Sequence, residues 1–231
     1  DQLHRQSVLQ AAEMAGLKSV RLVDRSIACV QSLSLDGNME SLESSLEPAS
    51  DKTFLFVGVT GQATEVSVIR RDSARLNQLS TAGHWHTGTL PWLHRLVDLT
   101  ANEFIRVHKF DPRKSSKTAG SLQMACEREM NSMLLLPSVT IKIEVRNKEK
   151  SVKILRRRWL QACEDLAARV RSTIKSACRE ASVSLKDIDS CVTMGPLLRI
   201  ATIRDAVLRG HGEGLQIHPL DRPDAARGAA A

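Results

Sequence analysis

The chain is poor in aromatic side chains, with Phe, Trp and Tyr together at 3%, and it has no apolar run long enough to cross a bilayer. The first shortage leaves few platforms on which unpaired bases could stack, and the second removes a membrane span. No CxxC pair is present. The five cysteines, Cys29, Cys126, Cys163, Cys178 and Cys191, are odd in number and set inside apolar helical or strand patterns, so they are expected as buried, reduced thiols of a cytoplasmic protein. Asp1-Gln2-Leu3-His4-Arg5 is neither a signal peptide nor a start methionine, and the chain is read as a piece of something longer. No basic tract exceeds Arg156-Arg157-Arg158. The net charge of +7 therefore argues for a solvated basic surface and against nucleic acid, and the three arginines are expected in the first turn of a helix.

What is present is an α/β pattern in 231 residues, with 42% hydrophobic content, enough for a normal core. The stretch from Thr53 to Val97 organises the rest. It predicts a strand over Thr53–Gly58, a turn over Val59–Ala63, a strand over Thr64–Arg70, a return strand near Arg75–Leu79, and a loop from Gly83 to Gly88 that opens a helix. A hairpin followed by a glycine-bounded loop is a common way of aiming backbone N–H groups at phosphate. In that loop His84 and His86 stand at i, i+2 with no third ligand nearby, so a loop with one packing histidine is expected instead of a metal site.

Around this centre the spacing predicts a helix over Leu3–Leu17 capped near Gly16, a strand over Val20–Val23, a helix over Ser26–Leu33 and a polar linker over Ser34–Ser50. Beyond it come a helix over Thr89–Phe110, a polar loop over Ser115–Ala119, a helix over Ser121–Leu135 and a hairpin of Val139–Val145 with Val152–Leu155. One long helix over Arg156–Ala181, a strand over Ser190–Met194, a helix over Leu197–Leu208 and a short closing helix follow. The Gly210-His211-Gly212-Glu213-Gly214 run follows a helix, so it is expected as a flexible connection and not a nucleotide loop.

The wording Ala15-Gly16-Leu17-Lys18-Ser19-Val20-Arg21-Leu22-Val23, then Glu65-Val66-Ser67-Val68, His86 with Gly88, Ala125-Cys126-Glu127-Arg128 and the closing Pro223-Asp224-Ala225-Ala226 resembles, in order, the nucleotide-binding domain of DnaK-type chaperones, the seventy-kilodalton heat-shock proteins. That resemblance implies a partial actin-like ATPase (ribonuclease H-like) α/β fold, mainly the second lobe. Residues 1–50 would end the first lobe and link the two, residues 51–88 with 156–231 would form the second-lobe core, and residues 89–155 would be its inserted subdomain. It implies ATP or ADP as the nucleotide, with Thr60, Gly61, Gly88, Glu127, Gly195 and Arg199 as the positions that would contact it. It implies as partners the missing first lobe, a substrate-binding domain of the same chain, and protein clients or co-chaperones.

The departures from the family pattern are chemical. Gly58, His84 and Arg25 occupy places where the family carries carboxylates near the metal, and Pro196, Leu197 and Leu198 replace a glycine and small hydroxyl residues. Thr60 and Thr64 offer hydroxyls but no negative charge. No residue is therefore assigned as catalytic or as a metal ligand. The expected function is a divergent chaperone-type domain with weak or no ATP hydrolysis, acting as a chaperone-like or interaction module; the alternative is an ATP-hydrolysing domain completed by its first lobe.

Overall fold

The computed structural model describes residues 2–35, 51–72, 75–199, 201–208, 215–220 and 222–230. The linker expected over 34–50 and the 210–214 run fall largely or wholly outside the described residues. Two compact units are present, one made of residues 1–49 with 222–231 and the other of residues 50–221.

In the first unit, α1 (Gln2–Met14) ends where the apolar spacing stops. Gly16 has a positive φ of 78°, and the Leu17 and Gly16 N–H groups donate to the Ala12 and Glu13 carbonyls at 3.0 and 2.9 Å, a Schellman cap. The expected strand over Val20–Val23 pairs with no strand among the described residues; the segment is irregular and leads into α2 (Arg25–Leu35). Arg5 holds it with an ion pair to Asp24 at 2.6 Å and a hydrogen bond to the Leu22 carbonyl at 3.3 Å, so Leu22 and Asp24 are bound by a side chain and not by a strand ladder. Helix α2 packs on α8 (Arg222–Ala230). A methyl at Gly228 would fall 2.8 Å from the carbonyl carbon of Ala28, so the missing Cβ is what lets the two helices approach. Residues 222–231, expected with the 156–231 half, thus share a unit with α2.

The second unit is built on a five-stranded sheet. Strand β1 (Lys52–Thr60) pairs antiparallel with β2 (Ala63–Asp72), which pairs antiparallel with β3 (Arg75–Trp85). On its other side β1 lies parallel to β6 (Ser190–Met194), which lies parallel to β7 (Gln216–Leu220), giving the order β3-β2-β1-β6-β7. Strand β1 reads as a continuous apolar run, and residues 53 to 59 are all buried, as expected for a central strand with both faces covered. Leu55, Val57 and Val59 share one face with Val66, Val68 and Cys191; Phe54, Phe56, Ile69, Val192 and Met194 are buried on the other. Strand β3 is longer than predicted, running through Gly83 and His84 to Trp85, because Glu65, Thr64 and Ala63 of β2 supply it with partners to the end.

Helix α3 (Thr89–His108) carries Trp92, Leu93, Leu96, Ala101 and Phe104 into the same core and ends on Lys109, whose φ is 54°. Helix α4 (Ser116–Leu135) takes in most of the expected Ser115–Ala119 loop, with Ser115 as its N-cap residue. Strands β4 (Ser138–Val145) and β5 (Lys148–Leu155) form a separate hairpin. Its turn is Arg146-Asn147, both with positive φ of 52° and 58°, as a two-residue turn of the primed type requires. The predicted long helix is broken at Cys163 into α5 (Arg156–Ala162) and α6 (Glu164–Glu180). There Trp159 is fully buried, donates to the Trp92 carbonyl at 3.1 Å and meets the Trp92 ring edge-on at 6.0 Å. Burial of large apolar side chains of this kind is worth about 1.5–3 kcal/mol each. Beyond β6, the predicted helix over Leu197–Leu208 is a 3-10 turn, Pro196–Arg199, followed by α7 (Ala201–Val207). All five cysteines are buried thiols outside any disulfide; burial pushes the Cys126 thiol up to about 11, and Cys163, Cys178 and Cys191 also upward.

Glu103 on α3 is the most enclosed carboxylate among the described residues, with its side chain 8% exposed. Arg106 Nη2 reaches it at 2.5 Å and Arg158 Nη1, from α5, at 3.4 Å. The Arg106 hydrogen bonds hold its carboxyl below the ordinary value of 4.5, against the opposing effect of burial. A depressed folded pKa stabilises the fold above the unfolded value and ceases to do so as pH falls through the folded one. Glu103→Gln is therefore expected to lower Tm by a few degrees at pH 7, and the gap from the native chain should close below about pH 4 when thermal melts are followed by circular dichroism.

Candidate functional site

The site forms where β1 and β6 end and α3 begins. Strands β1 and β2 are joined by Gly61-Gln62, with Gly61 at a φ of 51°, and this turn lies directly against the start of α3. Gly88 N–H donates to the Gln62 carbonyl at 3.1 Å, and Leu90 N–H to the Gly61 carbonyl at 2.9 Å. Two amides at the positive end of a twenty-residue helix are thus satisfied by carbonyl oxygens of the hairpin. Gly88 makes the approach possible, since a methyl there would fall 2.5 Å from Ala63 N and 2.6 Å from the Gln62 carbonyl carbon. Gly195 does the same from β6: its φ is 119°, and a methyl would fall 3.0 Å from the carbonyl carbon of Val59 and 3.6 Å from Thr60 Cγ2.

Of the residues expected to contact nucleotide, Thr60, Gly61, Gly88 and Gly195 therefore meet in one place. Gly61 has open space where a side chain would project. Glu127 and Arg199 are exposed and lie on neighbouring elements, because α4 packs against the Pro196–Arg199 turn. Leu197 and Leu198 in that turn are buried at 0% and 1% exposure, and Leu93 at 3%; they are core residues of the second unit.

Three details differ from expectation. Thr64 is not available as a donor: it is 1% exposed, and its hydroxyl lies 2.9 Å from that of Thr87. Thr87 is the buried member of the loop, its hydroxyl also 2.8 Å from the His84 carbonyl and its own carbonyl accepting from Trp92 Nε1 at 3.3 Å. The alternation Thr64, Val66, Val68 already pointed Thr64 inward, whereas nothing local marked Thr87. Neither histidine packs, as both are exposed. His86 sits at a φ of 61°, and His84 lines an open groove of about 400 Å³ between β3 and α6 together with Arg169, Ser172, Ser176 and Glu180. The third concerns Gly58. A Cβ there would stand 3.1 Å from two ring atoms of Phe56, so a carboxylate stem would press on the ring and require it to give by a few tenths of an ångström. No three His, Cys, Asp or Glu side chains converge as a metal ion would require among the described residues.

An antiparallel β1-β2-β3 meander continued by parallel β6 and β7, with a glycine-lined junction at the strand ends, defines part of an actin-like ATPase fold. The family model described as Hsp70 protein matches residues 1–230, and the chain belongs to that family. It is 29% identical over 215 residues to the chaperone protein DnaK of Deinococcus deserti, across 90% of this chain and 32% of that protein. It is 27% identical over 224 residues to the chloroplastic heat shock 70 kDa protein 7 of Arabidopsis thaliana, across 93% and 30%. With the heat shock 70 kDa protein of Penicillium citrinum the figure is 25% over 205 residues, across 88% and 39%. The chain thus spans about a third of the length of the relatives it matches.

If the junction depends on the two close approaches, Gly88→Ala and Gly195→Ala should each cost about 3 kcal/mol, the upper end for overpacking, with Gly195→Ala adding backbone strain. Gly61→Ala, with open space around it, should cost about 1 kcal/mol from its positive φ alone. Urea denaturation of the three variants gives the comparison, and equal losses would refute it.

Proposed function

We propose that this chain is part of a chaperone-type nucleotide-binding domain in which ATP hydrolysis has become weak or lost, and that it works as a chaperone-like or interaction module. The observation that carries this is at Gly58 and Phe56. Phosphoryl transfer depends on positioned charge around the metal and the transferring group. The β1 position that would supply a carboxylate is a glycine, and a Cβ there would stand 3.1 Å from the Phe56 ring, which would have to give by a few tenths of an ångström. His84 faces the α6 groove, and the first amides of α3 are occupied by hairpin carbonyls.

A second reading is favoured by the convergence of Thr60, Gly61, Gly88 and Gly195, which keeps the form of a phosphate cradle with room at Gly61. In that reading ATP or ADP binds when the remaining chain supplies a first lobe, with Glu127 and Arg199 beside the nucleoside. The relatives' length leaves room for that lobe and for a substrate-binding domain, and protein clients or co-chaperones would be the partners. The expectation of a cytoplasmic location stays part of this proposal; among the described residues no helix is long and apolar enough to cross a membrane.

Titration of labelled ATP with magnesium against this chain and against a longer parent separates the readings. The proposal expects no binding tighter than about 1 mM for this chain, and for the parent a turnover at least about a thousandfold below a hydrolysing relative measured in parallel. Micromolar binding with comparable turnover in the parent would sink it.

Restoring charge supplies a second test. Gly58→Asp with His84→Asp should lower Tm and bring no magnesium-dependent ATP binding, because the new carboxylate meets the Phe56 ring. Adding Phe56→Val should recover part of the lost Tm by making room at position 58, at the cost of a smaller core side chain. A double variant that binds ATP at native stability would show that the ring is no obstacle.

A further inference from the structure

The two edges of the five-stranded sheet are unlike. Strand β7 is short, Gln216–Leu220, and carries Pro219, which has no N–H to offer a further strand. Strand β3 is longer, Arg75–Trp85, with β2 on one side and no strand on the other among the described residues. Edge strands of that length are ordinarily guarded by charge, by proline or by a covering element. Residues 76–83 of β3 include no charged side chain and no proline.

The register with β2 shows which part of this edge is regular. A shift between Val68 and Ile69 leaves Leu79 without a β2 partner, the mark of a bulge. Beyond it, residues 80–85 pair in unbroken succession with Val68 back to Ala63. Directly opposed residues share a face, so Ser80, Ala82 and His84 lie on the side of Val68, Val66 and Thr64, where Ser80 Oγ donates to the Ala177 carbonyl of α6 at 2.7 Å. Thr81, Gly83 and Trp85 lie on the other face. All three are exposed, Trp85 at 71%.

We propose that the regular part of β3, residues 80–85, pairs antiparallel with the same edge of a second copy of this chain, giving a weak two-fold dimer in which the two sheets run on as one. A two-fold axis at Gly83 brings Trp85 of each copy opposite Thr81 of the other and diagonal to its Gly83, where an indole has room to lie across the strand. Charge argues for this occupant. The chain carries +7 overall, so two copies repel over much of their surface, and residues 76–83 form a stretch where like charges do not meet. An acidic or a basic peptide finds no counter-charge along the same stretch. The contact is small: six paired residues on each side make an edge roughly 20 Å long, which covers less than the roughly 800 Å² per partner of a standard interface. A dissociation constant of about 100 µM is therefore expected. This inference does not depend on whether the chain binds ATP.

Sedimentation velocity of the full 231-residue chain tests it, at concentrations from about 5 to about 500 µM. The sedimentation coefficient should rise with concentration to that of a dimer and no further. Hydrogen exchange followed by mass spectrometry should slow over residues 80–85 at the high concentration and stay unchanged over α4. Thr81→Lys with Trp85→Lys sets like charges across the pairing and should weaken dimerisation at least about tenfold; Trp85→Lys alone, at an open position, should act in the same direction. Met124→Lys with Leu135→Lys on α4, and Leu3→Lys with Met14→Lys on α1, change exposed apolar side chains elsewhere, and each pair should alter it less than about threefold. Melting curves by circular dichroism confirm that the variants remain folded. A monomer at every concentration, growth beyond a dimer, an equal loss in the α1 or α4 variant, or exchange over residues 80–85 that ignores concentration would each overturn the proposal.

Discussion

The second unit depends on one junction, the seating of the Gly61-Gln62 turn beneath the first residues of α3. Two backbone hydrogen bonds, from Gly88 and Leu90 to the turn carbonyls, fix where the helix starts relative to the sheet. Thr89 adds its hydroxyl to the Val59 carbonyl at 3.3 Å. Everything α3 carries follows from that placement. Trp92 reaches back to the Thr87 carbonyl, Trp159 of α5 bonds to the Trp92 carbonyl, and Glu103 farther along gathers arginines from α3 and α5. Neither β1 nor α3 would need such exact seating merely to bury apolar area, which is tolerant of small shifts. Close contact through Gly88 and Gly195 is less tolerant, since no side chain can buffer it.

This seating also accounts for how the loops hold their shape without the charges expected of them. A loop designed around a metal-bound triphosphate would be held partly by its ligand. Here the turn is held by carbonyl-to-amide bonds, by the buried pair of Thr64 and Thr87 hydroxyls, and by the Phe56 ring under Gly58. Leu197 and Leu198 close the neighbouring turn with apolar contacts. Each of these is an internal interaction, complete within the chain, and none of them calls on a bound nucleotide.

Much of the fold was legible in the sequence because its strands and helices carry strong periodic signals. The continuous run Phe54-Leu55-Phe56-Val57 marked a central strand, and the alternation of Val139, Ile141, Ile143 and Val145 marked a hairpin with one buried face. The misses share a cause: the deciding interaction was not local. Val20–Val23 has strand composition but no strand to pair with among the described residues, and Gly83-His84-Trp85 has loop composition but a full set of partners on β2. The break at Cys163 comes where the chain must place Trp159 against Trp92, which no helical spacing announces. At the site, the glycines at 61, 88 and 195 were legible only through the family resemblance, and the structure gives each a positive φ or a close approach. The closeness of the Phe56 ring, two residues earlier on the same strand, to the Gly58 position, and the turning of His84 toward α6, were not legible, since both depend on which face of the sheet each position occupies.

Where the family resemblance would put carboxylates, at positions 58 and 84, the structure has a buried glycine under a ring and an exposed imidazole beside an arginine. The carboxylate that remains near the end of α3, Glu103, is held by two arginines. A metal site needs several negative groups held at one point against their mutual repulsion, and that costs stability unless the ion is present. If hydrolysis has been lost as proposed, the negative groups of a metal site can be given up with little structural penalty, because the junction is already held by bonds within the chain.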